Sequence, residues 1–264
     1  MLFSFLEWIY VNYFFVEIGI WIVGVPTFIG SIFVTAPFGR HLSEATSKMW
    51  GPNINAKLGW IIMESPNLIF ALPLFVFFGK NGYHDNLVNI LLFSLYQLHY
   101  VNRTIIYPFK MKSKNPMPIS VMMMAFFFTT SNSIIQSGAL GSTYKYDSSW
   151  LLDPRFIVGV ILFFFGFYFN IHSDNLLRNL RKEGEKGYKI PTGGLFDYVT
   201  SANYFAEIVE WFGFAIACWN SAAFCFSFYV FANLTPRAVS HHQWYLQKFD
   251  DYPKNRKIIF PFIY

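Results

Sequence analysis

The chain of 264 residues is 54% hydrophobic and 22% aromatic, and only 13% of it is charged, against roughly 25% in typical soluble domains. Its apolar residues come in runs near the ~20 needed to cross a bilayer core, which excludes an ordinary soluble domain and marks an integral membrane protein. The net charge of +5 does not point to nucleic acid, because the basic residues are spread over loops between apolar spans.

Seven apolar segments are predicted, at about 8–35, 58–78, 86–109, 117–138, 154–173, 202–219 and 221–235. The last two form one run too long for a single ordinary span, and Asn220-Ser221 is the expected break. The loops 36–57, 110–116, 174–201 and 236–264 hold most of the Lys and Arg residues; the exceptions are Lys80, Arg103, Lys145 and Arg155. Alternate loops are therefore basic, which places the N-terminus outside and the C-terminus in the cytoplasm. The expected fold is an all-α bundle of seven transmembrane helices, a single domain over 1–264, acting as a monomer. No removable signal peptide is expected, because a basic n-region and a small-residue cleavage site are both missing. Cys218 and Cys225 lie about two helical turns apart in an apolar run and read as packing residues.

Polar residues inside these spans carry the functional signal, because charge facing lipid is costly and such groups usually face a cavity. Glu64 lies well inside the second span, with Pro66 beside it to kink the helix and open room for a ligand. In the third span Tyr96, Tyr100, Arg103 and Tyr107 are spaced to share one helical face, while His99 points off it and reads as structural. The fifth helix runs on through Asn170, Asp174, Arg178 and Arg181, again on one face. That face suits a ligand with amide and phosphate groups, and equally a solvated Asp174–Arg178 pair at i,i+4. Asn203, Glu207 and Glu210 open the sixth span, and two acids one turn apart there are hard to explain as solubility. Arg237, His241, Tyr245 and Lys248 form a third basic and aromatic face, with His242 as an additional candidate. No G-x-G-x-x-G opens a helix after a strand and no Walker A loop is present; Gly138–Gly141 is merely Gly-x-x-Gly. His and Cys do not cluster at metal-ligand spacing, so no metal is expected.

The segment NIHSDNLLRNLRKEGEKGYKIPTGGLFDYVTSANYFAEIVEW (170–211) closely resembles the signature of the steroid 5α-reductases. LHYVNRTIIYPF (98–109), MESPN (63–67) and the ending RAVSHHQWYLQKFDDYPKNRKIIFPFIY (237–264) resemble the same family. The likeness runs from about residue 58 to the C-terminus. It implies a seven-helix membrane bundle that reduces the 4,5 double bond of a 3-oxo-Δ4 steroid with NADPH. By this resemblance the carbonyl-binding acid falls on Glu64, its partner tyrosine on Tyr100 and a pocket aromatic on Trp60. The cofactor-binding positions fall on Asn170, Asp174, Arg178, Arg181, Tyr188, Asn203, Glu207, Arg237, His241 and Tyr245, with Arg103 near the cofactor. Catalytic residues thus sit in the spans within 58–109, and the NADPH region is mainly 170–248. Asn102 and Ser240-His241-His242 depart from the mammalian pattern.

The implied chemistry is concrete. Hydride adds at the β carbon of an enone while negative charge develops on the carbonyl oxygen, and two donors aimed at that oxygen stabilise the enolate. Tyr100 can supply one, and Glu64 the other only in its protonated form. The apolar steroid, or a similar enone, is expected from the bilayer and the cofactor from the basic cytoplasmic side. The expected location is multi-pass in a membrane: the inner membrane if bacterial, the endoplasmic reticulum if eukaryotic. Rival readings are a related membrane reductase of enoyl-thioesters or polyprenals, a membrane methyltransferase using S-adenosylmethionine, and a seven-span transporter or receptor.

Overall fold

The computed structural model describes residues 2–34, 49–79, 83–112, 116–181, 185 and 187–264. Lys80 and parts of the basic loops 36–57, 110–116 and 174–201 lie outside the described residues.

The long helix α1 (Leu2–Phe33) is followed by the short strand β1 (Asn53–Ile54) and by a broken helical rod in three pieces, α2 (Ala56–Glu64), α3 (Pro66–Ile69) and α4 (Ala71–Phe78). Asn55 starts the rod by accepting from the backbone N–H groups of Lys57 (3.0 Å) and Leu58 (3.2 Å), which would otherwise be orphaned at a helix N-terminus. The interruption expected at Pro66 is present, with Pro66 at the first position of α3.

Helix α5 (Leu87–Val101), capped by Asn86, passes into a wide π-helical turn at Asn102–Ile106 and then into α6 (Tyr107–Lys110). Strand β2 (Met117–Pro118) pairs antiparallel with β1, Asn53 opposite Pro118 and Ile54 opposite Met117. That clasp ties the start of α2 to the start of α7 (Ile119–Gly138), which continues as a π-helical turn to Thr143.

Helix α8 (Pro154–Asn179) begins at Asp153, whose carboxylate accepts from the Arg155 backbone N–H (2.8 Å) and from its guanidinium. These bonds hold the half-buried Asp153 carboxyl down to about 2. Helix α9 (Ala202–Cys218) ends on Trp219 in the left-handed conformation (φ 47°), and Asn220 then caps α10 (Ser221–Lys248) by accepting from the Ala223 N–H at 2.9 Å. The break expected at Asn220-Ser221 therefore falls at Trp219–Asn220.

Helices α8 and α9 approach backbone to backbone, which only glycine permits. A Cβ on Gly159, Gly166 or Gly213 would meet the partner helix's backbone at 2.3, 2.3 and 2.4 Å. Trp211 of α9 is the centre of the core, with its ring 4.4 Å from Phe226, 4.5 Å from His99 and 5.8 Å from Tyr100. Large apolar side chains such as Phe15, Ile22, Leu72, Phe127, Ile161 and Tyr168 stay exposed.

Four segments are long and apolar enough to cross a membrane: Val11–Phe33, Ala56–Phe78, Ile119–Thr143 and Pro154–Asn179. The chain is an integral membrane protein. The helices over 87–110 and 202–248 carry more of the polar side chains described next.

Candidate active site

A cavity of about 570 Å³ opens among α1, α2, α5, α7, α9 and α10. Its wall is mostly apolar, from Met63, Val121, Met124, Phe128, Phe226 and Leu234 among others. Polar groups enter this wall at a few places. Trp60 and Glu64 come from α2, Tyr100 from the end of α5, Arg103 from the π turn, Glu207 from α9 and Arg237 from α10. The sequence separates these residues widely; the fold brings them to one space. Such a mostly apolar cavity with few convergent polar groups is the form of a small-molecule site.

Glu64 ends α2, where the rod breaks before Pro66, and its carboxyl makes no hydrogen bond among the described residues. Nearby backbone is held firmly, with Thr129 Oγ1 donating to the Met63 carbonyl at 2.6 Å and Thr104 Oγ1 to the Glu64 carbonyl at 3.3 Å.

Arg103 is placed by the π turn. Its guanidinium lies 4.9 Å from the Trp60 ring and 4.7 Å from the Tyr107 ring, and it meets Asp174 Oδ2 at 3.4 Å and Glu207 Oε2 at 3.8 Å. Trp60 Nε1 donates to the Arg103 carbonyl at 3.1 Å. Asn203 Nδ2 donates to Asp174 Oδ1 (3.2 Å), and Asn170 Nδ2 to the Asn203 carbonyl (3.0 Å) and Glu207 Oε2 (3.3 Å). The close α8–α9 packing makes this lattice possible, because it sets Asn170 and Asp174 directly against Asn203 and Glu207. Asp174 is thus paired with Arg103 and Asn203; Arg178 instead donates to Asn175 Oδ1 at 2.5 Å and stands 6.0 Å from the Tyr107 ring.

The remaining candidates lie around this lattice. Arg181 donates to the Gly187 carbonyl at 3.1 Å, with its guanidinium 5.6 Å from the Tyr188 ring, and Tyr188 meets Trp244 edge to face at 4.9 Å. His241 packs 5.3 Å from Tyr204, a cavity-lining residue. Tyr245 is buried outside the cavity wall and stacks on Tyr252 at 5.2 Å. His242 turns to Thr200, 2.5 Å from its Oγ1, and burial lowers its pKa.

Two features escape the reading from spacing. His99 lines the cavity, and its Nδ1 lies 2.7 Å from Glu210 Oε1, with both side chains buried. The packing of α9 against α5 decides that contact, and it is not visible in helical periodicity. A second feature is a buried amide and phenol cluster of Asn67, Tyr96, Tyr100, Asn132 and Gln136. Asn132 and Gln136, the two carboxamides of α7 and four residues apart, were the available signal. No group of three His, Cys, Asp or Glu side chains able to hold a metal occurs among the described residues.

Residues 115–264 match the family model described as 3-oxo-5-alpha-steroid 4-dehydrogenase. The chain belongs to that family. Among its relatives are the 3-oxo-5-alpha-steroid 4-dehydrogenase 1 of Macaca fascicularis, 44% identical over 86% of this chain and 84% of the relative, and that of Homo sapiens, 42% identical over 92% of each. The steroid 5-alpha-reductase DET2 of Solanum lycopersicum is 44% identical over 95% of this chain and 96% of its own length. The region matched by the 3-oxo-5-alpha-steroid 4-dehydrogenase model holds the lattice from Asn170 onward, while Glu64, Tyr100 and Arg103 precede it.

Proposed function

We propose that this chain reduces the 4,5 double bond of 3-oxo-Δ4 steroids, with Glu64 and Tyr100 holding the 3-oxo oxygen and NADPH as the hydride donor. The observation that carries the reading is that Glu64 and Tyr100 line the same apolar cavity as Glu207, in a chain of this family.

The residues beside the cavity fit a nicotinamide dinucleotide. Asn170 Oδ1 is buried without a partner among the described residues, and with Asn203 and Glu207 it offers the mixed donors and acceptors that a carboxamide needs. Arg178, Arg181, Arg237 and His241 are the phosphate candidates, with Tyr188 and Tyr245 flanking them. Bound NADPH supplies the hydride that reaches C5. The chain's own groups do the rest. Tyr100 donates its O–H to the steroid 3-oxo oxygen, and Glu64, in its neutral form, donates a second hydrogen bond. Charge that develops on that oxygen then meets two fixed donors in a mostly apolar cavity, and a proton from water taken up at C4 completes the reduction. Arg103, held between Trp60 and Tyr107 and bonded to Asp174, braces the boundary between the steroid and dinucleotide regions.

In this reading the chain is one catalytic domain of seven spans over 1–264, multi-pass and monomeric, with its N-terminus outside and the cofactor entering from the cytoplasmic face. The host membrane is the endoplasmic reticulum in a eukaryote or the inner membrane in a bacterium.

The test uses purified protein with NADPH and testosterone or progesterone, following loss of nicotinamide absorbance and identifying the product. Glu64→Leu, which has no hydrogen to donate, is expected to retain NADPH binding and to lose turnover by about 10²-fold, the scale of one oxyanion donor. Near-normal turnover would overturn the role of Glu64, and absence of NADPH oxidation with any enone would overturn the reductase reading.

A further inference from the structure

The Tyr100 hydroxyl has one hydrogen to give and two lone pairs to offer. Its partner in the structure is Asn132, whose Nδ2 lies 3.3 Å from the phenol oxygen. An amide can be turned end for end, but here the polarity is dictated from further away. The Ala222 carbonyl can only accept, so Gln136 must present its Nε2 there, at 2.9 Å. That same Nε2 donates to Asn132 Oδ1 at 3.3 Å. Asn132 therefore has its oxygen toward Gln136 and its N–H₂ toward the two tyrosines.

Asn67 Oδ1 takes the Tyr96 hydroxyl hydrogen, and Asn132 Oδ1 takes the Gln136 N–H. Among the described residues no acceptor takes the Tyr100 hydrogen, and Tyr100 lines the cavity. Asn132, Gln136 and Asn67 are all fully buried, so water does not scramble this order.

We propose that Asn132 is the positioning residue for Tyr100. By donating to the phenol oxygen it holds the hydroxyl rotor with its hydrogen turned into the cavity, and Gln136 keeps the Asn132 amide in the one orientation that can do so. This inference rests on the reading of Tyr100 as a donor to the 3-oxo oxygen. A buried carboxamide pair in the C-terminal half of α7, costly in a membrane span, thereby has a task at the reacting end of the cavity.

A double-mutant cycle in kcat separates this role from packing. Tyr100→Phe is expected to lower kcat about 10²-fold. Asn132→Leu, nearly the same size without the N–H, should lower kcat roughly five- to tenfold, with the KM values for steroid and NADPH unchanged. In the Tyr100→Phe background Asn132→Leu should add no more than about a twofold loss, because the group it acts through is gone. Additive losses, or an Asn132→Leu enzyme with normal kcat, overturn the positioning role while leaving Tyr100 as donor. Normal turnover in Tyr100→Phe alone overturns the donor reading and the inference with it. Should Asn132→Leu fail to fold, Gln136→Leu enters the same cycle, with a smaller loss of kcat and the same non-additivity expected.

Discussion

Glu64, Arg103 and Glu210 show three ways in which this chain accommodates an acid or a base among apolar helices. Glu64 faces the cavity, Arg103 is held by Asp174, Glu207 and two rings, and Glu210 is paired at 2.7 Å with His99. The third arrangement is the least tolerant, because neither side chain reaches solvent. Glu210→Ala leaves His99 Nδ1 without its partner and is expected to cost about 1–3 kcal/mol, the penalty of an unmade buried hydrogen bond. Thermal unfolding in detergent micelles should show a lowered Tm, and Glu210→Gln, which keeps an acceptor, should lie between the two. An unchanged Tm in Glu210→Ala would count against the pair. Glu64 and Tyr100 were legible in the sequence through the cost of a mid-span acid and the resemblance. His99 was not, because its neighbour lies 111 residues away along the chain.

Helices α8 and α9 form the element on which the proposed dinucleotide side of the site depends. Their contact is set by Gly159, Gly166 and Gly213, and a single methyl group at Gly166 would sit 2.3 Å from the Glu210 N and 2.5 Å from the Ala206 carbonyl. Gly166→Ala must push the helices apart, at a cost of about 1–3 kcal/mol or more from overpacking, and it separates Asn170 from Asn203 and Glu207 one turn away. The expected outcome is a lowered Tm together with a raised KM for NADPH. Gly19→Ala in α1, where a Cβ meets nothing within 4 Å, should leave both unchanged and serves as the control. Helix positions and the break near Asn220 were legible from apolar run lengths. The π turn at 102–106 was not, although Tyr100 and Arg103 line one cavity, with Tyr96 packed on Tyr100 and Tyr107 on Arg103.

At the scale of the whole molecule, Thr200 joins three distant pieces of chain. Its Oγ1 meets His242 Nδ1 at 2.5 Å, the Tyr252 hydroxyl at 2.7 Å and the Lys257 carbonyl at 3.2 Å, while its N–H also donates to that carbonyl at 2.8 Å. This knot fixes the loop that launches α9, with Asn203 three residues on, against α10 and the C-terminal tail. Thr200→Val removes the hydroxyl and keeps the shape. It is expected to raise the NADPH KM several-fold, with the steroid KM near normal, since Tyr252 stacks on Tyr245 of the proposed dinucleotide side; equal changes in both would refute that division.

Taken by itself, the sequence determined the membrane class, the order of the helices and the family, because hydropathy and linear motifs are properties of consecutive residues. Tertiary structure alone decided which polar groups meet. Asn132 finds Tyr100, His99 finds Glu210 and Arg103 finds Asp174 only after glycine contacts and a wide helical turn have set the distances. In an apolar interior each such group must have a partner or a cavity, and that demand is met across helices rather than along them.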